Sequence, residues 1–270
     1  MEMFSLKNKA IIVTGGTGVL GEAFINGIVD AGGAVGILGR NRAVAEQRAA
    51  EVINRGGRAI ALVADVLDQE SLILAREKVL EAFGRIDGLV NGAGGNKPAG
   101  VINPADDIFK LDMNGLREVM DLNLWGTMLP VQVFGEAMAS GGQGSIVNIS
   151  SMASQTVISK VLGYTLAKTA IDAYTRWFAV ETAARYGDKL RMNALAPGFF
   201  ITEQNRNLLT QPDGGFTARG QAVIRQTPFK RFGQPDELVG ALVWLLSDAS
   251  KFVTGTVVNV DGGFAVNSGV

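Results

Sequence analysis

Seven short runs of β-branched and other apolar residues alternate along this 270-residue chain with longer stretches of helical period, and nothing else in it constrains the fold as much. The runs are Ala10 to Thr14, Ala34 to Leu38, Arg58 to Val63, Gly88 to Asn91, Ser145 to Ile149, Arg191 to Ala194 and Val257 to Val260. The spacing predicts helices between them over Arg42 to Asn54, Gln69 to Phe83, Leu116 to Ala139, Gly163 to Arg185 and Asp236 to Leu246. Strand and helix in turn make βαβ units, so the expected fold class is α/β, a seven-stranded parallel, doubly wound sheet with helices on both faces. The length allows one large domain or two small ones. With no linker-like stretch or internal repeat, residues 1–270 are read as one domain.

Two stretches break the rhythm. Gly92 to Gly115 is rich in Gly, Pro, Asn and Asp, and Pro197 to Pro235 reads as a long irregular insertion carrying Arg206, Arg219, Arg225, Lys230 and Arg231. Both follow predicted strands and so overhang the carboxyl edge, where such sheets bind ligands. The substrate loops are therefore expected near 95–115 and 197–235.

The turn after the first strand is Thr14-Gly15-Gly16-Thr17-Gly18-Val19-Leu20-Gly21, in which Gly16, Gly18 and Gly21 satisfy G-x-G-x-x-G. A tight turn, a close backbone approach to a pyrophosphate and close helix packing all need glycine there, and the amides opening the next helix bind phosphate. This is the signature of a dinucleotide-binding Rossmann fold. About 20 residues on, where an acidic residue would hold a ribose 2′-hydroxyl, stand Gly39 and Arg40. A guanidinium with no carboxylate beside it favours NADP over NAD; the alternative is an exposed side chain that discriminates nothing. Asp65 and Val66 end the third strand, and Asn91, Ala93 and Gly94 the fourth, so all five are expected at the cofactor, with Asp65 also readable as a turn residue.

The chain has neither cysteine nor histidine, which excludes disulfides, thiol nucleophiles, Ser-His-Asp triads and the common zinc sites. Acid/base work falls to Tyr, Lys, Ser or carboxylates, and no metal is expected. Tyr164 and Lys168 stand four apart on a predicted helix and share a face. An ammonium beside a phenol favours the phenolate and should lower the Tyr164 pKa.

Taken together, the glycine turn, Asn91-Gly92-Ala93-Gly94, Asn123, Gly144 to Ser151, Tyr164-x-x-x-Lys168 and Pro197-Gly198 through Thr202 resemble the short-chain dehydrogenases/reductases in order and spacing over almost the whole chain. The resemblance implies an NAD(P)-dependent enzyme acting on the CH-OH group of donors. Tyr164 would be the proton donor and Ser151 a second hydrogen-bond donor to the substrate. Lys168 would tune the phenol and hold the nicotinamide ribose, and Asn123 would anchor a water relay. Pro197, Gly198, Phe200 and Thr202 would border the nicotinamide, with Tyr164 and Lys168 also touching the cofactor. Each residue has a plainer reading: Ser151 a strand-end cap, Asn123 a polar group at a helix kink, Tyr164 a packing aromatic, Lys168 a solvated charge. Two departures stand out: the T-G-x-x-G-x-x-G spacing is that of the family's extended branch, and Gly92 stands where a second Asn is usual.

Within the family, the segments Asn91 to Asn96, Ser150-Ser151-Met152, Pro197 to Arg206 and Val260 to Phe264 are similar to the D-mannonate oxidoreductase (fructuronate reductase) group. That implies a ketone on a sugar acid, whose carboxylate and hydroxyls would meet Arg206 first, then Lys160, Lys97, Asn96 and Glu203, beside Ser151 and Tyr164. The alternatives are a reductase of 5-ketogluconate, another sugar or a 3-oxoacyl thioester, or a nicotinamide-binding regulator without chemistry. Related enzymes imply a homotetramer or homodimer built on the helices around 116–139 and 163–185. A net charge of −1 leaves no field for nucleic acid, and no apolar run reaches membrane-spanning length, so a cytoplasmic protein with a small-molecule partner is expected.

Overall fold

A computed structural model of the chain describes residues 2–103, 105–202 and 205–269. The seven runs form one sheet: β1 (Ala10–Thr14), β2 (Ala34–Gly39), β3 (Arg58–Val63), β4 (Gly88–Asn91), β5 (Gly144–Ile149), β6 (Leu190–Pro197) and β7 (Val257–Val260). Their spatial order is β3-β2-β1-β4-β5-β6-β7, parallel throughout. The sequence of β1, Ala-Ile-Ile-Val-Thr, is apolar at nearly every position because both its faces are covered. Ile11 and Val13 join one core, where α1 (Val19–Asp30), α2 (Arg42–Asn54) and α9 (Val239–Leu246) contribute Phe24, Ile28, Val52, Leu242 and Leu245. Ile12 joins the opposite core with Leu89, Ile146 and Met192, under Leu72 and Val79 of α3 (Gln69–Phe83) and Phe134 and Met138 of α5 (Gly126–Gly141). Burying each such side chain contributes about 1.5–3 kcal/mol, so the two cores together hold the sheet between its helix layers.

Local signals start the helices where predicted. Asn41 Oδ1 accepts from Val44 N at 3.2 Å to open α2, and Asp68 Oδ1 accepts from Glu70 N at 3.1 Å to open α3. Three expectations change. The single helix over Leu116 to Ala139 is two, α4 (Met113–Met120) and α5, joined by a π turn over Asp121–Trp125. The wide turn forms where Asn123 Nδ2 donates to Val119 O at 2.7 Å, just before Pro130, which has no N–H to continue the ladder. The helix expected from Asp236 opens instead as a 3-10 turn over Pro235–Leu238 before α9. The stretch read as irregular, Pro197 to Pro235, contains α7 (Arg206–Leu209) and α8 (Ala218–Gln226). Leu209, Val223 and Phe232 give it a small core of its own, packed by Phe199, Ile201, Ile224 and Phe264. Among the described residues no helix is long and apolar enough to cross a membrane.

Candidate active site

From β1 the chain moves outward to β2 and β3, then resumes on the other side of β1 with β4. The crossovers diverge at that point and leave a crevice above the carboxyl ends of the strands. A cleft of about 320 Å³ opens there, bounded by Gly15, Thr17, Gly18, Val19, Leu20 and Gly21 of the first turn. Gly39 and Arg40 follow from β2, Asp65 and Val66 from beyond β3, Ala93 and Gly94 from beyond β4, and Thr202 from the insertion. Leu38, Ala64, Gly92 and Leu122 complete the wall; small or apolar, they carry no chemical signal in the sequence.

The cleft fits a dinucleotide. α1 opens at Gly18 with no side chain capping its first N–H groups, the arrangement that receives a pyrophosphate. A Cβ at Gly21 would lie 2.3 Å from the Gly15 carbonyl oxygen, so the helix starts this close to the strand only with glycine there. Arg48 on α2 donates to the Gly18 carbonyl at 2.8 Å and to that of Gly16, and pairs with Glu22 at 2.9 Å, clamping the turn from outside. Sequence reasoning misses it, since an arginine 32 residues from Gly16 shows nothing of that contact. Arg40 is exposed and 3.8 Å from Asp65 Oδ2, while Asp65 Oδ1 accepts from Leu67 N at 3.0 Å. Asp65 is thus a turn-former and a cleft wall at once.

Four other expected cofactor residues stand behind this wall. Asn91 is buried, donating through Nδ2 to Asn148 Oδ1 at 2.9 Å. Pro197 pairs with Val260 at the end of β6, and Gly198 N donates to the Val260 carbonyl at 2.9 Å. Phe200 is a correction: its ring packs into the core against Gly233 and does not face the cleft. An aromatic ring beside a glycine fills space that water would otherwise take, and packing decides its position.

Next to Gly94 of the cleft wall lie the residues expected to do the acid/base work. Ser151 follows β5, and its Oγ accepts from Ala153 N at 3.1 Å, so the plain reading as a cap is also true. Its hydroxyl lies near enough to the phenol of Tyr164 on α6 (Leu162–Tyr186) to influence it. Lys168, one turn further along α6, lies with Nζ 5.4 Å from the Tyr164 ring centroid and donates to the Ile149 carbonyl at 2.7 Å. Asn123 is wholly buried: Oδ1 accepts from Gly95 N at 2.9 Å, and Nδ2 donates to Gly95 O at 2.7 Å. A Cβ at Gly94 would stand 2.6 Å from Asn123 Oδ1 and 3.4 Å from Lys168 Nζ, so these two side chains converge on that glycine.

Burial governs the electrostatics. It pushes the Lys168 ammonium down from the usual 10.5 to about 8, against the charge of Asp172, which holds it up. It also raises the Tyr164 phenol above its usual value, while Ser151 pulls the other way. The downward pull expected from Lys168 is not the leading effect. The Tyr164 phenol therefore keeps its proton at neutral pH.

A family model described as enoyl-(acyl carrier protein) reductase matches residues 18–265, nearly the whole chain. The chain belongs to the short-chain dehydrogenase/reductase family. This short-chain dehydrogenase/reductase is 41% identical over 275 residues to the uncharacterized oxidoreductase UxuB of Bacillus subtilis, covering 98% of each chain. It superposes at a TM-score of 0.91 and 38% identity on a Haemophilus influenza protein provisionally described as a D-mannonate oxidoreductase, with bound NAD, over 98% of each chain. A gluconate 5-dehydrogenase from Burkholderia cenocepacia in complex with NADP and tartrate matches at a TM-score of 0.85 and 31% identity, again over 98% of each. The chain is thus an NAD(P)-dependent oxidoreductase of alcohol and ketone groups.

The dehydrogenase's expected substrate residues are more dispersed. Lys160 sits at φ 75°, half-buried four residues before Tyr164, and its carbonyl accepts from Ile102 N at 2.9 Å, tying the two loops together. Arg206 opens α7 with an exposed side chain. Asn96 turns its Oδ1 inward toward Gly100, and Lys97 Nζ donates to Glu118 at 2.9 Å, so neither projects into the mouth as expected. Glu203 lies outside the described residues. Arg219 of α8 reaches Ser159, 3.5 Å away, bringing a guanidinium onto the loop that leads into α6.

Proposed function

We propose that this short-chain dehydrogenase/reductase reduces a ketone on a sugar acid of the D-fructuronate type, in reversible exchange with the D-mannonate type alcohol, and prefers NADP. Tyr164 donates the proton to the carbonyl oxygen and Ser151 donates a second hydrogen bond to it. Lys168, fixed by the Ile149 carbonyl, supplies the positive charge beside them. Nicotinamide, when bound, supplies or accepts the hydride. Asn123 holds the loop after β4 against the π turn, and its side-chain bonds to Gly95 and Val119 leave the water-relay role to its main chain.

The observation that carries the substrate class is the division of the insertion. Leu209, Val223 and Phe232 close on one another as a separate core, although Leu208 and Phe229 stay exposed, while Arg219 reaches Ser159, next to Lys160 in the loop just before Tyr164. Such a mouth suits a carboxylate and hydroxyls better than an acyl chain. The described relatives of sugar-acid type point the same way. Cofactor choice rests on Gly39 and Arg40: a Cβ at Gly39 would lie 2.6 Å from Thr17 Cγ2, so a side chain there is disfavoured, and the exposed Arg40, 3.8 Å from Asp65 on the cleft wall, is the cation available to a 2′-phosphate. The same reading makes the protein a homo-oligomer through α5 and α6, on the second of which Trp177 and Val180 are exposed.

The test is the initial rate of NADPH and NADH oxidation with D-fructuronate, with Tyr164→Phe as control. Turnover lost by about 10²-fold or more in the control, with cofactor binding intact, supports the assignment. Activity confined to 3-oxoacyl thioesters refutes the sugar-acid class, and unchanged turnover in the control refutes the acid/base roles.

A further inference from the structure

Beyond the residues assigned so far, Ser150, Ser154 and Asp172 form a cluster with no place in the proposed chemistry. The Asp172 side chain is 4% exposed, and a carboxylate so far from water persists only where it is paired and hydrogen-bonded. Ser150 Oγ donates to Asp172 Oδ1 at 2.5 Å and Ser154 Oγ to Oδ2 at 2.6 Å, the lengths of hydroxyl-to-carboxylate bonds. Ser154 Oγ is also 2.7 Å from the Ser151 carbonyl oxygen. The two serines bracket Ser151, so the carboxylate grips both ends of the turn that presents it. An asparagine could accept from only one of the two hydroxyls, so both bonds call for a carboxylate, and the charge that comes with it lies one helical turn from Lys168.

We propose that Asp172 is a positioning residue of the proton-transfer site: it fixes the turn carrying Ser151 and supplies the counter-charge to Lys168 from one helical turn away. The proposal rests on the roles given to Ser151 and Lys168 above. The groups facing the Lys168 ammonium are Tyr164 and Asp172 from its own helix, the Ile149 carbonyl from β5, the Asn123 side chain from the π turn and the backbone at Gly94. Of these, Asp172 alone carries negative charge while Tyr164 is protonated. Its removal makes the ammonium form harder to keep in a buried place.

Two variants separate charge from geometry. Asp172→Asn keeps the volume but removes the charge and one acceptor, whereas Ser150→Ala keeps the charge and removes one anchor of the turn, so what the first loses beyond the second is the charge. Lysine side chains carrying a ¹³C label at Cε are titrated by NMR in the full-length protein, with Lys168 assigned by Lys168→Met, and the pH profile of kcat/KM for NADPH oxidation with D-fructuronate is recorded alongside. In Asp172→Asn the Lys168 titration moves to lower pH by about one unit or more, and the alkaline fall of the reduction rate moves with it. In Ser150→Ala kcat drops about tenfold while both titrations stay in place. A Lys168 titration unmoved in Asp172→Asn overturns the counter-charge, and full kcat in Ser150→Ala overturns the anchoring. A titration that moves while the rate profile does not shows that Lys168 takes no part in proton transfer, and the positioning role falls with it. The NMR arm reads the charge of Asp172 without any turnover, so it decides the counter-charge even where D-fructuronate proves not to be a substrate.

Discussion

Lys168 titrates at about 8 in the folded protein and at the usual 10.5 when exposed, so its burial can be read as a dependence of stability on pH. Between those values the unfolded chain binds a proton that the folded chain does not. Folding stability then rises with pH at about 1.4 kcal/mol per unit, about 3 kcal/mol across the interval. The contribution is fully in place above pH 10.5 and is lost as the pH falls through about 8. The perturbation is Lys168→Met, which retains the chain's length and apolar stem. Losing the bond to the Ile149 carbonyl costs about 1 kcal/mol or more at every pH, an offset without slope. Urea denaturation of both proteins at steps from about pH 7 to pH 10.5 gives a difference curve in which other titrating groups largely cancel. The wild type should gain about 3 kcal/mol on the variant over that range. A flat curve would mean that Lys168 keeps its ordinary pKa in the fold, and the argument that desolvation governs the site would be wrong.

Two further variants test the cofactor end. Gly21→Ala places a methyl 2.3 Å from the Gly15 carbonyl oxygen and must push α1 off the turn. Overpacking of this kind costs about 1–3 kcal/mol, so titration by fluorescence should show both NADH and NADPH binding weakened about tenfold or more. Unchanged affinities would show that the turn does not hold the pyrophosphate. Arg40→Ala should weaken NADPH about tenfold and leave NADH nearly unaffected, because only the former offers a phosphate to the guanidinium. Equal losses for the two cofactors would remove Arg40 from the selection.

How much of this can be seen in the sequence depends on the range of the interaction. β1, β3, β4 and β7, with α2 and α3, have the bounds their apolar runs predict: β1 and β4 are buried throughout, the edge strands β3 and β7 keep β-branched runs despite exposed Arg58 and Asn259, and a capped helix announces its start. The glycine turn is equally legible, since backbone approach to a phosphate excludes side chains. What stays hidden depends on distant contacts. The break at Asn123 needs Gly95 and Val119 in place; Arg48 means nothing until α2 lies beside Gly16; Phe200 reads as a cofactor contact until Gly233 is set against it. The helices of the insertion are short, and their apolar residues find partners only once Phe199 and Phe264 close over them.

α6 shows the limit most clearly. Buried helix faces are expected to be apolar, yet Lys168, Asp172 and Thr175, spaced as one face of a helix, are all buried and all polar. Each meets the end of β5 or the residue after it: Lys168 the Ile149 carbonyl, Asp172 the Ser150 hydroxyl, Thr175 the Asn148 amide at 2.9 Å. An apolar seam would tolerate a slide of the helix along the strand by part of a turn. A seam of directional bonds does not, because each slip strands a buried donor or acceptor at a cost of about 1–3 kcal/mol. That seam sets α6 against β5 in one register, the register in which Tyr164 arrives beside Ser151. Periodicity cannot reveal it, since its residues break the pattern that periodicity is built to find.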